Sequence, residues 1–133
     1  MPTNVVTAIP AAPPHIAREH FEREFTFETD CADVYEAMNS GNPGFVLLDV
    51  RGPAHFAAGH VPGAVNLPHG KIIRSKMAAF PDETLFVVYC DGPHCNGAAR
   101  AAARLAALDR PVKKMAGGIH GWQLDGFDLK AGE

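Results

Sequence analysis

The stretch Leu85-Phe-Val-Val-Tyr-Cys90-Asp-Gly-Pro-His-Cys95-Asn-Gly97, followed by Ala98-Ala-Arg-Ala-Ala-Ala-Arg-Leu105, decides the fold of this 133-residue chain. Five apolar residues run into a thiol, a short loop punctuated by Gly92 and Pro93 follows, and an Ala-rich helical pattern then opens. A buried strand, a tight loop and a helix in that order put Cys90 at the carboxyl edge of a sheet and beneath a helix N-terminus. Unpaired helix-end N–H groups and the helix dipole favour an anion there, so the position suits a thiolate. It equally suits a small apolar residue that ends a core strand. The choice between the two rests on what flanks it.

Working outward, the same alternation recurs. Phe45-Val-Leu-Leu-Asp49-Val50 is a continuous apolar run fit for a central parallel strand, broken by Arg51-Gly-Pro53. A turn or two of helix over Ala54 to Ala58, turn chemistry at Gly59-His-Val-Pro-Gly63 and a short strand Ala64-Val-Asn-Leu67 follow. Ile72, Ile73, Met77 and Phe80 predict one helix face between His69 and Phe80. Beyond the Ala-rich helix, Pro111 to Met115 reads as a strand, Gly117-Gly118 as a turn and His120 to Leu124 as a last short helix. Upstream, Thr29 and Asp30 are good N-caps for a helix carrying Val34, Tyr35 and Met38, and Phe25-Thr-Phe-Glu28 alternates like a short edge strand. Residues 1–24 read as a proline-rich arm with a short helix, and 25–133 as the folded domain. The pattern predicts an α/β domain, its mostly parallel sheet flanked by helices on both faces. Sites in such sheets lie at the carboxyl ends of strands, where Asp49-Val-Arg51 and the Cys90 loop both fall.

A formal charge of −3 and no Lys/Arg run give no field for nucleic acid, and no apolar stretch approaches a membrane span. The start has neither cationic leader nor long apolar core, and the three cysteines are an odd number. Reduced thiols and a cytoplasmic location are the expectation. Cys90, His94 and Cys95 form no CxxC pair and have no fourth ligand in sight, so no metal and no cofactor are expected.

Three pieces in this order resemble the rhodanese-like sulfurtransferase family. They are Leu48-Asp-Val-Arg-Gly-Pro-Ala-His-Phe-Ala-Ala-Gly-His-Val-Pro-Gly-Ala-Val-Asn-Leu-Pro68, the strand-to-thiol segment Val87-Val-Tyr-Cys90, and Gly117-Gly-Ile-His-Gly-Trp122. The resemblance implies a single rhodanese-like domain and persulfide chemistry at Cys90. In that chemistry the thiolate takes the outer sulfur of a donor such as thiosulfate, sulfite leaves, and a thiol or cyanide accepts the sulfur. It implies that the loop Asp91, Gly92, Pro93, His94, Cys95, Asn96, Gly97 turns backbone N–H groups toward the sulfur. Partners are then a small sulfur donor and acceptor. The arm is free to dock on the domain or on a second copy in a homodimer.

The loop departs from the family's common single-domain form, which has Gly three residues after the cysteine and then an Arg-Ser pair opening the helix. Here about two residues are extra and neither Arg nor Ser stands where the pair would fall. Asp91 beside the thiol disfavours its ionisation if it faces inward, and His94 could offset that. Cys95 reads as a resolving thiol, as the sulfur carrier itself, or as a small packing residue. Asp49 is expected to hold loop N–H groups, and Arg51 to meet either an anionic donor or an acid of the fold. His60, Trp122, Met115 and Cys31 read as structural, Cys31 because it lies far from every motif, and Arg104 as a solvated residue. A phosphatase-like anion site would need Arg at position 96, where Asn96 stands. A non-catalytic binding or redox-sensing module that uses the Cys90/Cys95 loop is the remaining reading.

Overall fold

The computed structural model describes residues 4–133. The helices are α1 (Pro14–Phe27), α2 (Cys31–Asn39), α3 (Pro53–Ala58), α4 (Arg74–Met77), α5 (Gly97–Ala107) and α6 (Gly118–Leu124). The strands are β1 (Glu28–Asp30), β2 (Val46–Asp49), β3 (Val65–Asn66), β4 (Phe86–Tyr89) and β5 (Val112–Ala116). They form one five-stranded sheet in the order β1-β5-β4-β2-β3, parallel at every pairing. The expected α/β architecture is therefore present, with β4 at its centre.

Alternation along the strands sorts the apolar side chains onto two faces. Leu48, Phe86, Val88 and Cys90 pack with Ala98, Ala101 and Leu105 of α5 and with Ile72 and Met77. Leu47, Val87, Tyr89 and Met115 point the other way, against Cys31 and Val34 of α2 and Ile119 and Trp122 of α6. Both faces are covered, which is why β2 and β4 read as unbroken apolar runs.

Three expectations need correction. Phe25 to Phe27 belong to α1, which runs to Phe27 before β1 begins. Aromatic spacing mimicked strand alternation there, but none of α1 is buried, so local helix hydrogen bonding decides. The segment from His69 to Phe80 is a 3₁₀ turn (His69–Lys71) and the single-turn α4, not one helix. Ile72 and Ile73 between them are extended. Burying Ile72 (2% exposed) while leaving Ile73 outside (47%) stretches this β-branched pair out of helical geometry. The last helix starts at Gly118, two residues earlier than expected, for a reason found at the site. Asp30 does cap α2, accepting the Asp33 amide at 2.8 Å.

Candidate active site

Cys90 follows directly on β4 and is buried, at 6% exposure, on the α5 face of the sheet. Its sulfur rests on the start of α5. A Cβ on Gly97 would come within 2.8 Å of Cys90 Sγ and 3.5 Å of Cys95 Sγ, so only glycine lets the helix begin this close to the thiol. Asn96 caps α5 without a side-chain hydrogen bond, which leaves the first-turn amides without a side-chain acceptor at the cap.

The loop itself is a turn. Cys95 N donates to Gly92 O at 3.1 Å with Pro93 in the second position, where its fixed φ favours a β-turn. This turn folds Cys95 back onto Cys90, and the two are joined as a disulfide with their Cα atoms 6.5 Å apart. The turn thus returns the second cysteine to the first. Asp91, His94 and Asn96 are exposed around the rim. The Asp91 side chain is 59% exposed, and its carboxylate lies 3.3 Å from Arg51 Nη1. Asn96 accepts from Arg100 Nε at 3.1 Å.

The backbone under the thiol is held from the other side by α6. Ile119 N donates to Cys90 O at 3.0 Å and His120 N to Asp91 O at 2.7 Å. Gly118, at φ +58°, lies so close that a Cβ would stand 2.9 Å from Gly92 N and collide with the Cys90 carbonyl. The Gly117-Gly118 pair therefore docks the end of β4 onto a helix start, and α6 begins at Gly118 to do so. Cys31, distant in sequence, is part of this dock. Its thiol lies 3.6 Å from both Ala116 O and Gly118 O and lines the space beside Gly117 and Gly121. Burial, then the charges of Asp125 and Asp30, push it up to about 11, so it stays a thiol.

At the end of β2, Asp49 is fully buried and Arg51 nearly so. Asp49 accepts from Arg51 Nε at 3.0 Å and Arg51 Nη2 at 2.7 Å, from the Arg51 amide at 3.0 Å, and from Tyr89 Oη at 2.7 Å. Arg51 also donates to Gly59 O at 2.7 Å. Burial alone would lower the guanidinium's pKa, but the hydrogen-bonded carboxylate outweighs it and the group stays charged. Burial also raises the Tyr89 phenol far above its ordinary value, with Asp49 adding to it, so Tyr89 remains a donor. Arg51 thus meets two acids of the fold, Asp49 and Asp91, and its guanidinium braces the ends of β2 and of the loop. His60 is packed too, its ring stacked on Phe56 at 3.6 Å with Nδ1 2.8 Å from Phe56 O. Trp122 and Met115 are core.

A cavity of about 170 Å³ opens beside the sulfur pair, lined by Cys90, Gly92, Cys95, Ala98, Lys114 and Gly118 among others. Lys114 was not singled out from the sequence. Its place follows from the strand register: opposite Val88 of β4, it shares the Cys90 face of the sheet. Glu28 lies 3.4 Å from its ammonium. The Sγ atoms of Cys90 and Cys95 and the Asp91 carboxylate fall within 4.8 Å of one another.

A family model described as the rhodanese-like domain matches residues 30–125. The crystal structure of a Bacillus halodurans protein superposes with a TM-score of 0.86 and 33% identity, covering 90% of this chain and 87% of that one. A rhodanese-like domain from Anabaena sp. shares the fold at TM-score 0.70 and 22% identity over 78% of each chain. So does a thiosulfate sulfurtransferase from Pseudomonas aeruginosa, at TM-score 0.65 and 22% identity over 84% of this chain and 21% of that one. An HTH-type transcriptional regulator of Mycobacterium tuberculosis is 33% identical over 86 residues, which are 65% of this chain and 38% of the regulator. The present chain thus spans well under half of that relative. With the matched model spanning most of the sheet and both motif-bearing strand ends, the chain belongs to the rhodanese-like domain family.

Proposed function

We propose that the chain is a sulfurtransferase that carries sulfane sulfur on Cys90. The observation that carries this reading is the seat of the Cys90 sulfur, against the uncapped start of α5 and beside a cavity that contains one cation, Lys114. In the reduced protein the Cys90 thiolate attacks the outer sulfur of a donor such as thiosulfate. An S–S bond forms to Sγ, the donor's own S–S bond breaks, and sulfite leaves with the electron pair. The first amides of α5 and the helix dipole stabilise the negative charge on the thiolate and on the persulfide. Lys114 supplies the positive charge that draws an anionic donor into the cavity. The Asp91 carboxylate stays within 4.8 Å of the sulfurs and opposes the thiolate, an effect that its exposure and its contact with Arg51 Nη1 reduce. A thiol or cyanide then attacks the terminal sulfur and regenerates Cys90.

Thiocyanate formation from thiosulfate and cyanide tests the proposal, with the protein first reduced. Turnover is expected in the wild type and lost in Cys90→Ser. Turnover that survives Cys90→Ser but disappears in Cys95→Ser would move the carrier to Cys95. No turnover, together with no sulfur gained on Cys90 by intact mass, would favour a binding module.

A further inference from the structure

We infer that Cys95 is a resolving thiol for the Cys90 persulfide, so that the site releases sulfide and hands its oxidising equivalents to a dithiol. The inference rests on the sulfurtransferase reading and adds the second half-reaction. Cys95 Sγ reaches the inner sulfur of Cys90 with the loop as it stands, because the two are bonded and their Cα separation lies within the normal disulfide range. The approach is built in twice: by the Gly92-Pro93-His94-Cys95 turn, and by Gly97, whose missing Cβ leaves room for both sulfurs. A residue that merely packed the loop would need neither.

The step balances without another reagent. The Cys95 thiol attacks Cys90 Sγ of the persulfide anion, the Cys90–Cys95 bond forms, and the outer sulfur leaves with its electron pair and the Cys95 proton as HS⁻. The cavity beside the pair is large enough to hold that departing atom, and Lys114 lines it. The disulfide is then reduced by a dithiol, small or carried on a protein. Cys90 is buried and Cys95 only half so, in a second, more open hollow lined by Asp91, Pro93, His94 and His120. The reductant therefore attacks Cys95, and Cys90 leaves as the thiolate at the helix start, ready for the next donor. The dithiol ends as its disulfide, and the sum is a reductive cleavage of thiosulfate to sulfite and sulfide.

The test mixes fully reduced protein, freed of reductant under anaerobic conditions, with thiosulfate alone. Intact mass and free sulfide are then followed. The wild type is expected to finish two hydrogens lighter and to release about one sulfide per chain, since each chain holds one resolving pair. Cys95→Ser is expected to stop one sulfur heavier and to release none until a dithiol is added. A wild type that also stops one sulfur heavier, without sulfide, overturns the resolving role while leaving the sulfur-carrying role of Cys90 intact. If neither protein gains sulfur and no sulfide appears, the carrier reading fails and the inference with it. A disulfide that forms equally fast without thiosulfate also overturns it. The wild-type result is decisive by itself, so nothing hangs on the variant folding.

Discussion

At the residue scale, glycine decides how near chemistry can come to backbone. Replacing Gly97 by Ala places a Cβ 2.8 Å from Cys90 Sγ. Either the sulfur or the first turn of α5 must move. The rate at which Cys90 gains sulfur from thiosulfate, read by intact mass against time, is expected to fall about tenfold or more, equivalent to roughly 1.4 kcal/mol. A wild-type rate would mean that the glycine spaces nothing. Cys31 is the contrasting thiol. Its folded value of about 11 lies above the ordinary 9.0, so the folded state holds the proton more tightly than the unfolded one. The associated stability is fully present below about pH 9 and is lost as the pH rises toward about 11. In the reduced native protein at about pH 8, alkylation should modify the loop cysteines and spare Cys31, which is buried and held as the thiol. Peptide mapping that finds Cys31 labelled as fast as Cys95 would contradict this. Cys90 and Cys95 were legible as candidates because motif and loop are contiguous in sequence. The contact of Cys31 with the Gly117-Gly118 dock was not, because 85 residues separate it from Ala116.

At the element scale, the site is the meeting of two strand ends, and the ion pairs there differ in worth. Asp49 joins β2 to β4 through Tyr89 and holds a buried Arg51. Asp49→Ala leaves that guanidinium without its carboxylate and is expected to lower the unfolding free energy by about 3–5 kcal/mol. Asp91→Ala removes only the exposed arm of the same network, screened by solvent, and is expected to lower it by less than about 1 kcal/mol. Urea denaturation of both variants checks the order, and equal losses would mean that the rim pair is not screened. Legibility at this scale follows burial. The central strands β2 and β4 were readable since both faces demand apolar residues, and α5 since its small residues pack on one stripe. The chain between His69 and Phe80 departs from its helical pattern because Ile72 answers to the core beneath it and not to its neighbours in sequence. The contact of Arg51 with Asp91 is not legible in the sequence, because 40 residues separate them and only the fold brings the two strand ends together.

At the scale of the whole molecule, the two cores close around the sheet without using α1. No residue of α1 is buried, and Ile16, Phe21, Phe25 and Phe27 are 45–69% exposed. The expected boundary at residue 25 now falls inside that helix, so the sharper question is whether the domain begins at Glu28. Both hydrophobic clusters draw their members from Cys31 onward. The site likewise depends on β2, β4, β5, α5 and α6. Removing residues 1–27 therefore deletes little buried apolar surface. At about 25 cal/mol per Å² of such surface, the loss should stay within about 2 kcal/mol. What it does remove is the flank beside β1, a three-residue edge strand bonded only to β5. The truncated chain is expected to unfold in one cooperative transition a few degrees below the full chain, and to gain sulfur on Cys90 at a similar rate. Loss of the transition would show that edge strand and helix fold as one unit, placing the boundary before Pro14. A retained transition with slowed sulfur loading would point instead to Glu28. Its carboxylate positions Lys114 at the cavity, and it would then become the first residue of the chain.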